Sequence, residues 1–209
     1  MSRIYAEFTS EYLEAGGRLG AERSRELARR AEESLQAHLD GLPGPSHPWG
    51  MKNPRSMLML PFWHQRFPEM RFLHVIRDGR DMAYSPAQGQ IRKHGMALLG
   101  LDPDLPEAEL AMTWWSYANT EAADFGESNL GERYIRVRLE DLCAHPKRTV
   151  TSLFAFFGAE GGMKAAIREV EPPPTLGRWR QRPEHEVARV LALGRSALER
   201  FGYLPAARE

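Results

Sequence analysis

The segment Arg71-Phe-Leu-His-Val-Ile-Arg-Asp-Gly-Arg-Asp-Met-Ala-Tyr-Ser85 constrains the fold more than any other stretch of this chain. Phe72–Ile76 is a short apolar run cut off by charged residues and a glycine, the pattern of a buried strand ending in a tight turn. Beyond the turn, a helix is expected from about Arg80 towards His94. Strand, turn and helix follow in that order, and the chain is expected to be a layered α/β domain. The same arrangement suits an anion. N–H groups and the positive dipole end at a helix start point at the ligand, and an arginine fork adds charge-assisted hydrogen bonds. Arg77 stands at the strand end, and Ser85 is expected about two helical turns along, so both side chains can meet one phosphate.

The rest of the chain is mostly helical in pattern. Residues 5–15 and 20–40 read as helices, the second with a stripe of Leu27, Ala31, Leu35 and Leu39. Gly41-Leu-Pro-Gly-Pro-Ser-His-Pro48 is a breaker-rich loop, and Asn53-Pro54 is a cap plus first-turn proline opening a helix through about Gln65. Further helices are expected over Pro106–Phe125, from Pro146 to a stop at Gly158, and over Pro183–Phe201. Tyr134–Leu139 alternates as a second strand, and Glu171-Pro-Pro-Pro174 is extended chain leading to Gly177-Arg-Trp179. The expected fold is therefore α/β and helix-rich, a small parallel sheet flanked by helices. Two strands are few for a parallel sheet.

At 209 residues the chain is expected to be a single domain, residues 1–45 a helical N-terminal segment and 46–205 the remainder. Its 28 basic and 28 acidic residues cancel, which argues against nucleic acid or an anionic membrane as partner. The single cysteine, Cys143, excludes an internal disulfide framework and reads as a small buried residue in a reducing compartment. No signal-peptide core and no membrane-length apolar run are visible, so a cytoplasmic location is expected. No group of histidines, cysteines or carboxylates has metal-ligand spacing, and no metal is expected.

Three segments then converge: Trp49-Gly-Met-Lys-Asn-Pro-Arg55; the Arg77/Ser85 turn; and Arg138-Leu-Glu-Asp-Leu142 with Gly177-Arg-Trp-Arg180 downstream. Their order and spacing over about residues 45–205 resemble the sulfotransferase family that uses 3′-phosphoadenylyl sulfate (PAPS). The likeness is greatest to its bacterial branch and to the tyrosylprotein sulfotransferases. The resemblance implies a P-loop-NTPase-like architecture, PAPS as sulfuryl donor and a hydroxyl or amine acceptor. It implies that Arg77 and Ser85 bind the 3′-phosphate and that Lys52, in a Lys-x-Pro motif, stands near the transferred group. Arg178 is then a second phosphate ligand and Thr175 offers a further hydroxyl. Trp179 stacks on a base or anchors its loop as a core aromatic. Asp78 and Asp81 read instead as structural residues that cap the turn and hold Arg77 or Arg80. The general base is open: His64 is a candidate, as are Glu7, Glu11 and His47, and a histidine beside Phe62 and Trp63 also reads as a core residue.

The sequence departs from the family in two places. No strand with a Gly-x-x-x-Ser-Gly-Thr-Thr-like loop, the family's 5′-phosphosulfate cradle, precedes Lys52, so the domain reads as N-terminally incomplete. Gly194-Arg-Ser196 and Pro54-Arg55-Ser56 echo that loop only faintly. Leu139 stands where the family usually has a tyrosine, which removes one nucleotide contact worth about 1 kcal/mol. An alternative therefore stands beside the enzyme: a non-catalytic homologue that binds a 3′-phosphoadenosine nucleotide or a partner chain. The missing strand would leave an unpaired sheet edge, so self-association or a strand-donating partner is expected.

Overall fold

The structure is a computed structural model. It describes residues 49–54, 56–89, 99–102 and 104–205, with 91, 95, 11, 25, 26, 29, 30, 32, 33, 35, 36 and 39–41. The chain forms two compact units, Met1–Met59 with Gly89–Pro103, and Leu60–Gln88 with Asp104–Glu209. In the first unit, Glu11 and the described positions from 25 to 39 are helical, and Leu35 and Leu39 are half-buried. Arg29 pairs with Glu33, and Gln36 donates to Asp40 at 2.7 Å, both one helical turn apart. Leu27, Ala31, Glu7, His47, Arg55 and most of the 41–48 loop lie outside the described residues.

The second unit runs α1 (Leu60–Arg66), β1 (Phe72–Ile76), α2 (Gly79–Ala83), α3 (Glu107–Phe125), β2 (Tyr134–Arg138), α4 (Leu139–Ala144), α5 (Pro146–Phe157), α6 (Met163–Arg168) and α7 (Glu184–Arg200). β1 and β2 pair in parallel, Phe72 opposite Tyr134 and Ile76 opposite Arg138, as the two-stranded sheet. α3 supplies the middle of the core through Leu110, Met112, Trp115, Ala118 and Ala122, and α7 adds Val190, Ala197 and Leu198. Gly194 leaves no room for a Cβ against Met112, so the glycine lets α7 lie close on α3.

Two of the expected helices differ in the structure. The segment after Asn53-Pro54 is first a 3₁₀ turn, Ser56–Met59, and becomes α-helical only at Leu60. Pro61 explains the restart: it has no N–H and clashes with the carbonyl four residues back, so it is tolerated only in a first turn. The helix after β1 is one turn long, Gly79–Ala83, instead of reaching towards His94. Ser85 precedes Pro86 and is steered out of the α region, while the proline cannot continue the hydrogen-bond ladder. The Gln88 amide takes over, donating to the carbonyls of Met82 at 3.0 Å and Ser85 at 2.7 Å, with Ala83 at 3.4 Å. Ser85 therefore follows the helix instead of riding on its second turn.

Candidate functional site

The site grows from the C-terminal end of β1. Asp78 caps α2, its side chain accepting the Arg80 N–H at 2.9 Å, and also receives the Arg80 guanidinium at 3.0 and 2.7 Å. Both side chains are about nine-tenths buried, and Arg80 donates onward to the Tyr203 carbonyl at 3.2 Å. The Asp78 N–H donates to Glu140 Oε1 at 2.9 Å, and Glu140 Oε2 accepts the Tyr203 hydroxyl at 2.9 Å. Burial, with the Glu140 carboxylate adding to it, pushes the Tyr203 phenol far up, so it stays a donor. Asp141 is held below the usual carboxylate range by its hydrogen bonds from Arg138 at 2.7 and 2.8 Å. Thus Arg138-Leu-Glu-Asp-Leu142 bolts the turn after β1 to the chain after α7.

Arg77 and Asp81 form a second buried pair, 2.9 Å apart, with side chains 15% and 1% exposed. Arg77 also donates to Thr175 Oγ1 at 3.0 Å and to the Thr175 carbonyl, while its Nε is buried without a partner. Asp81 accepts the backbone N–H groups of Gly177 at 2.7 Å and Trp179 at 3.3 Å. Gly177 sits at φ +76°, a left-handed conformation natural to glycine. Arg178 reaches the Tyr84 carbonyl at 3.3 Å. The guanidinium carbons of Arg80 and Arg180 lie 4.0 and 4.7 Å from the Trp179 ring centre, so that ring is engaged by cations of its own chain.

Beside this cluster opens a cleft of about 690 Å³ bounded by Tyr84, Ser85 and Pro86, the Pro106–Glu109 start of α3, Arg178 and Arg182, and Glu186, Arg189 and Val190 of α7. Glu109 is paired with Arg189 at 3.1 Å. Arg178 and Arg182 have no carboxylate partner among the described residues; Arg182 lies 4.9 Å over the Tyr84 ring. Ser85 Oγ accepts the Ala87 N–H at 3.3 Å. The Ser85–Arg178 end of the cleft can thus take an anion without first breaking an ion pair.

The structure brings Arg77, Thr175, Arg178 and Trp179 into one cluster with Ser85 on the adjoining cleft. Of the other two candidates, Lys52 belongs to the first unit and His64 to the second. Lys52 is exposed and outside any helix or strand, just before Asn53-Pro54. His64 packs edge-on against Phe125, with its Nδ1 buried and unpartnered. The cleft is at the opposite end of α3, a helix of 19 residues and about 27 Å. Gly194-Arg195-Ser196 lies within α7 and forms no phosphate loop. Burial pushes the Cys143 thiol up, against a nucleophilic role.

Sequence reasoning missed a buried triad. His74 is 2% exposed, its Nδ1 2.9 Å from the Tyr134 hydroxyl and its Nε2 3.0 Å from Asn119 Oδ1. The Asn119 amide donates to the Trp115 carbonyl at 2.7 Å, which leaves Oδ1 as acceptor and assigns the His74 proton to Nε2. Burial lowers the His74 pKa. The only signal in the sequence was a histidine inside an otherwise apolar strand.

A family model described as "Sulfotransferase family" matches residues 3–161. The chain belongs to the sulfotransferase family. Membership carries the P-loop-like α/β architecture with it, and the small parallel sheet among many helices agrees. The match reaches further towards the N-terminus than the motifs had suggested, and it ends before the Thr175–Trp179 loop. That loop is tied to the matched region by its bonds to Arg77 and Asp81. No curated protein and no solved structure matches the chain. Among the described residues there is no group of metal-ligating side chains, and no helix is long and apolar enough to cross a membrane.

Proposed function

We propose that this sulfotransferase-family chain moves a sulfuryl group from PAPS to a hydroxyl or amine, and holds the 3′-phosphate of the donor in the cleft that Ser85 and Arg178 both line. The observation that carries the reading is the Arg178 loop. Through Asp81 and Thr175 it is tied to Arg77 at the end of β1, and it presents a guanidinium without a carboxylate partner to a cleft that Ser85 also lines. A guanidinium and a serine hydroxyl are donors suited to a dianionic phosphate, the group that separates PAPS from ATP. The partnerless N–H of Arg77 Nε is a further donor in the same cluster.

In the transfer, the acceptor oxygen or nitrogen forms a bond to sulfur while the bond from sulfur to the bridging phosphate oxygen breaks. That oxygen keeps the electron pair, giving adenosine 3′,5′-bisphosphate, and the acceptor's proton passes to a base. Negative charge grows on the bridging oxygen, so a fixed ammonium near it favours the transition state; Lys52 is the candidate for that role. His64 suits the base only for an acceptor seated well away from the 3′-phosphate, given the length of α3.

Calorimetry with adenosine 3′,5′-bisphosphate tests the shared claim. Arg178→Ala is expected to weaken binding by about 10- to 100-fold, the loss of a charge-assisted contact worth roughly 1.5–3 kcal/mol. Failure of the wild-type chain to bind, or equal affinity in the variant, refutes the assignment. Turnover of PAPS with an acceptor panel then distinguishes an enzyme from a nucleotide-binding homologue.

A further inference from the structure

A carboxylate as buried as Asp81 is tolerated only where donors surround it. Three do: Arg77 at 2.9 Å and the Gly177 N–H at 2.7 Å on Oδ2, and the Trp179 N–H at 3.3 Å on Oδ1. The two backbone donors flank Arg178, so one carboxylate on α2 grips the loop on either side of the residue that faces the cleft. Asp81 itself does not line the cleft. Arg77 completes the ring by donating to Thr175, two residues before Gly177. A surface ion pair could not order such a loop, because solvent would compete for both partners. With only 15% and 1% of these two side chains exposed, water cannot do so here.

We propose that Asp81 is a positioning residue: it latches the Thr175–Trp179 loop and the Arg77 guanidinium in place before ligand arrives, so that Arg178 is already set on the cleft. The proposal rests on the reading that a 3′-phosphate binds at Arg178. Its cause is entropic. A free arginine-bearing loop would have to be ordered by the nucleotide itself, and a latched one is not.

Hydrogen exchange of the full chain, read at the Gly177 and Trp179 amides, judges the latch without any ligand. Calorimetry with adenosine 3′,5′-bisphosphate and with adenosine 5′-monophosphate judges its use. In Asp81→Asn the two amides are expected to exchange at least about 10-fold faster while those of β1 and α3 keep their rates. Affinity for the bisphosphate is expected to fall by about 10-fold, roughly 1.4 kcal/mol, with the monophosphate unaffected. Asp81→Asn on its own leaves Arg77 buried without its counter-charge and can misfold. Arg77→Met combined with Asp81→Asn removes both charges and carries the same exchange expectation. Arg77→Met alone keeps Asp81 on its two backbone donors, and slow exchange is expected. Unchanged exchange in the single and double variants that carry Asp81→Asn overturns the latch. Faster exchange with an unaltered preference for the 3′-phosphate overturns the positioning role. A wild-type chain that binds neither nucleotide refutes the functional reading, and the exchange rates alone then confirm or overturn the hold on the loop.

Discussion

Replacing Gly79 by alanine sets helix propensity against packing, and the geometry says which wins. Gly79 is the first residue of α2, and its φ is not positive, so its backbone would accept any residue. Propensity alone would have alanine stabilise the helix by about 0.5–1 kcal/mol. A Cβ there, however, would lie 2.5, 2.6 and 2.8 Å from Cε3, Cδ2 and Cζ3 of Trp115. Carbon atoms rest about 3.5–4.0 Å apart, so the helix or the indole must move by roughly 1 Å. Trp115 has little freedom. It is 6% exposed, packs edge-on against Phe201 and Tyr203, and donates its indole N–H to the Arg77 carbonyl at 3.0 Å. Overpacking of this kind costs about 1–3 kcal/mol, and a lost indole hydrogen bond adds about 0.5–1.5 kcal/mol. After subtracting the propensity gain, the net loss is about 0.5–4 kcal/mol. Urea denaturation should show it directly, and the thermal midpoint should drop by roughly 1–16 °C. A double-mutant cycle with Trp115→Leu should show a favourable coupling of at least about 1 kcal/mol, because the smaller side chain makes room for the methyl. A Gly79→Ala chain as stable as wild type, or without coupling to position 115, would refute the claim that this glycine exists for the indole.

Three further outcomes can be checked. Because burial holds the folded His74 below its unfolded value, the unfolded chain takes up the proton first on acidification. Stability is therefore expected to be full above about pH 6.5 and to fall as the pH drops through that value towards the folded pKa. The slope is at most about 1.4 kcal/mol per pH unit; denaturation at about pH 7.5 and 5.5 should show it in wild type and not in His74→Phe. Tyr203→Phe removes the hydroxyl donated to Glu140 and should cost about 1–3 kcal/mol by denaturation, since a half-buried carboxylate loses its donor. Gln88→Ala should leave the carbonyls of Met82 and Ser85 without their side-chain donor and speed exchange of the Ser85 amide, with a stability loss of about 1 kcal/mol.

What the sequence determined by itself was the local frame. Phe72–Ile76 is the strand that its apolar run announced, and α3, α5 and α7 begin at or just after Pro106, Pro146 and Pro183, as their prolines foretold. Gly158 ends α5 in the left-handed conformation for the same local reason. These features follow from backbone sterics and hydrophobic period, which act over a few residues. Even the early end of α2 was written in Ser85-Pro86. The site's pairings were not legible. Arg77 had Asp78, Asp81 and several carbonyls within reach in sequence, and only packing chose Asp81 together with Thr175, 98 residues further on. The same packing placed His64 and the cleft at opposite ends of α3, and put Tyr134 and Asn119 on His74. Which charges meet depends on which segments the core brings together, and that is a property of the whole fold. The Arg71–Ser85 segment specified a strand end, a turn and an arginine; tertiary structure decided that the arginine is clasped and that Arg178 faces the cleft.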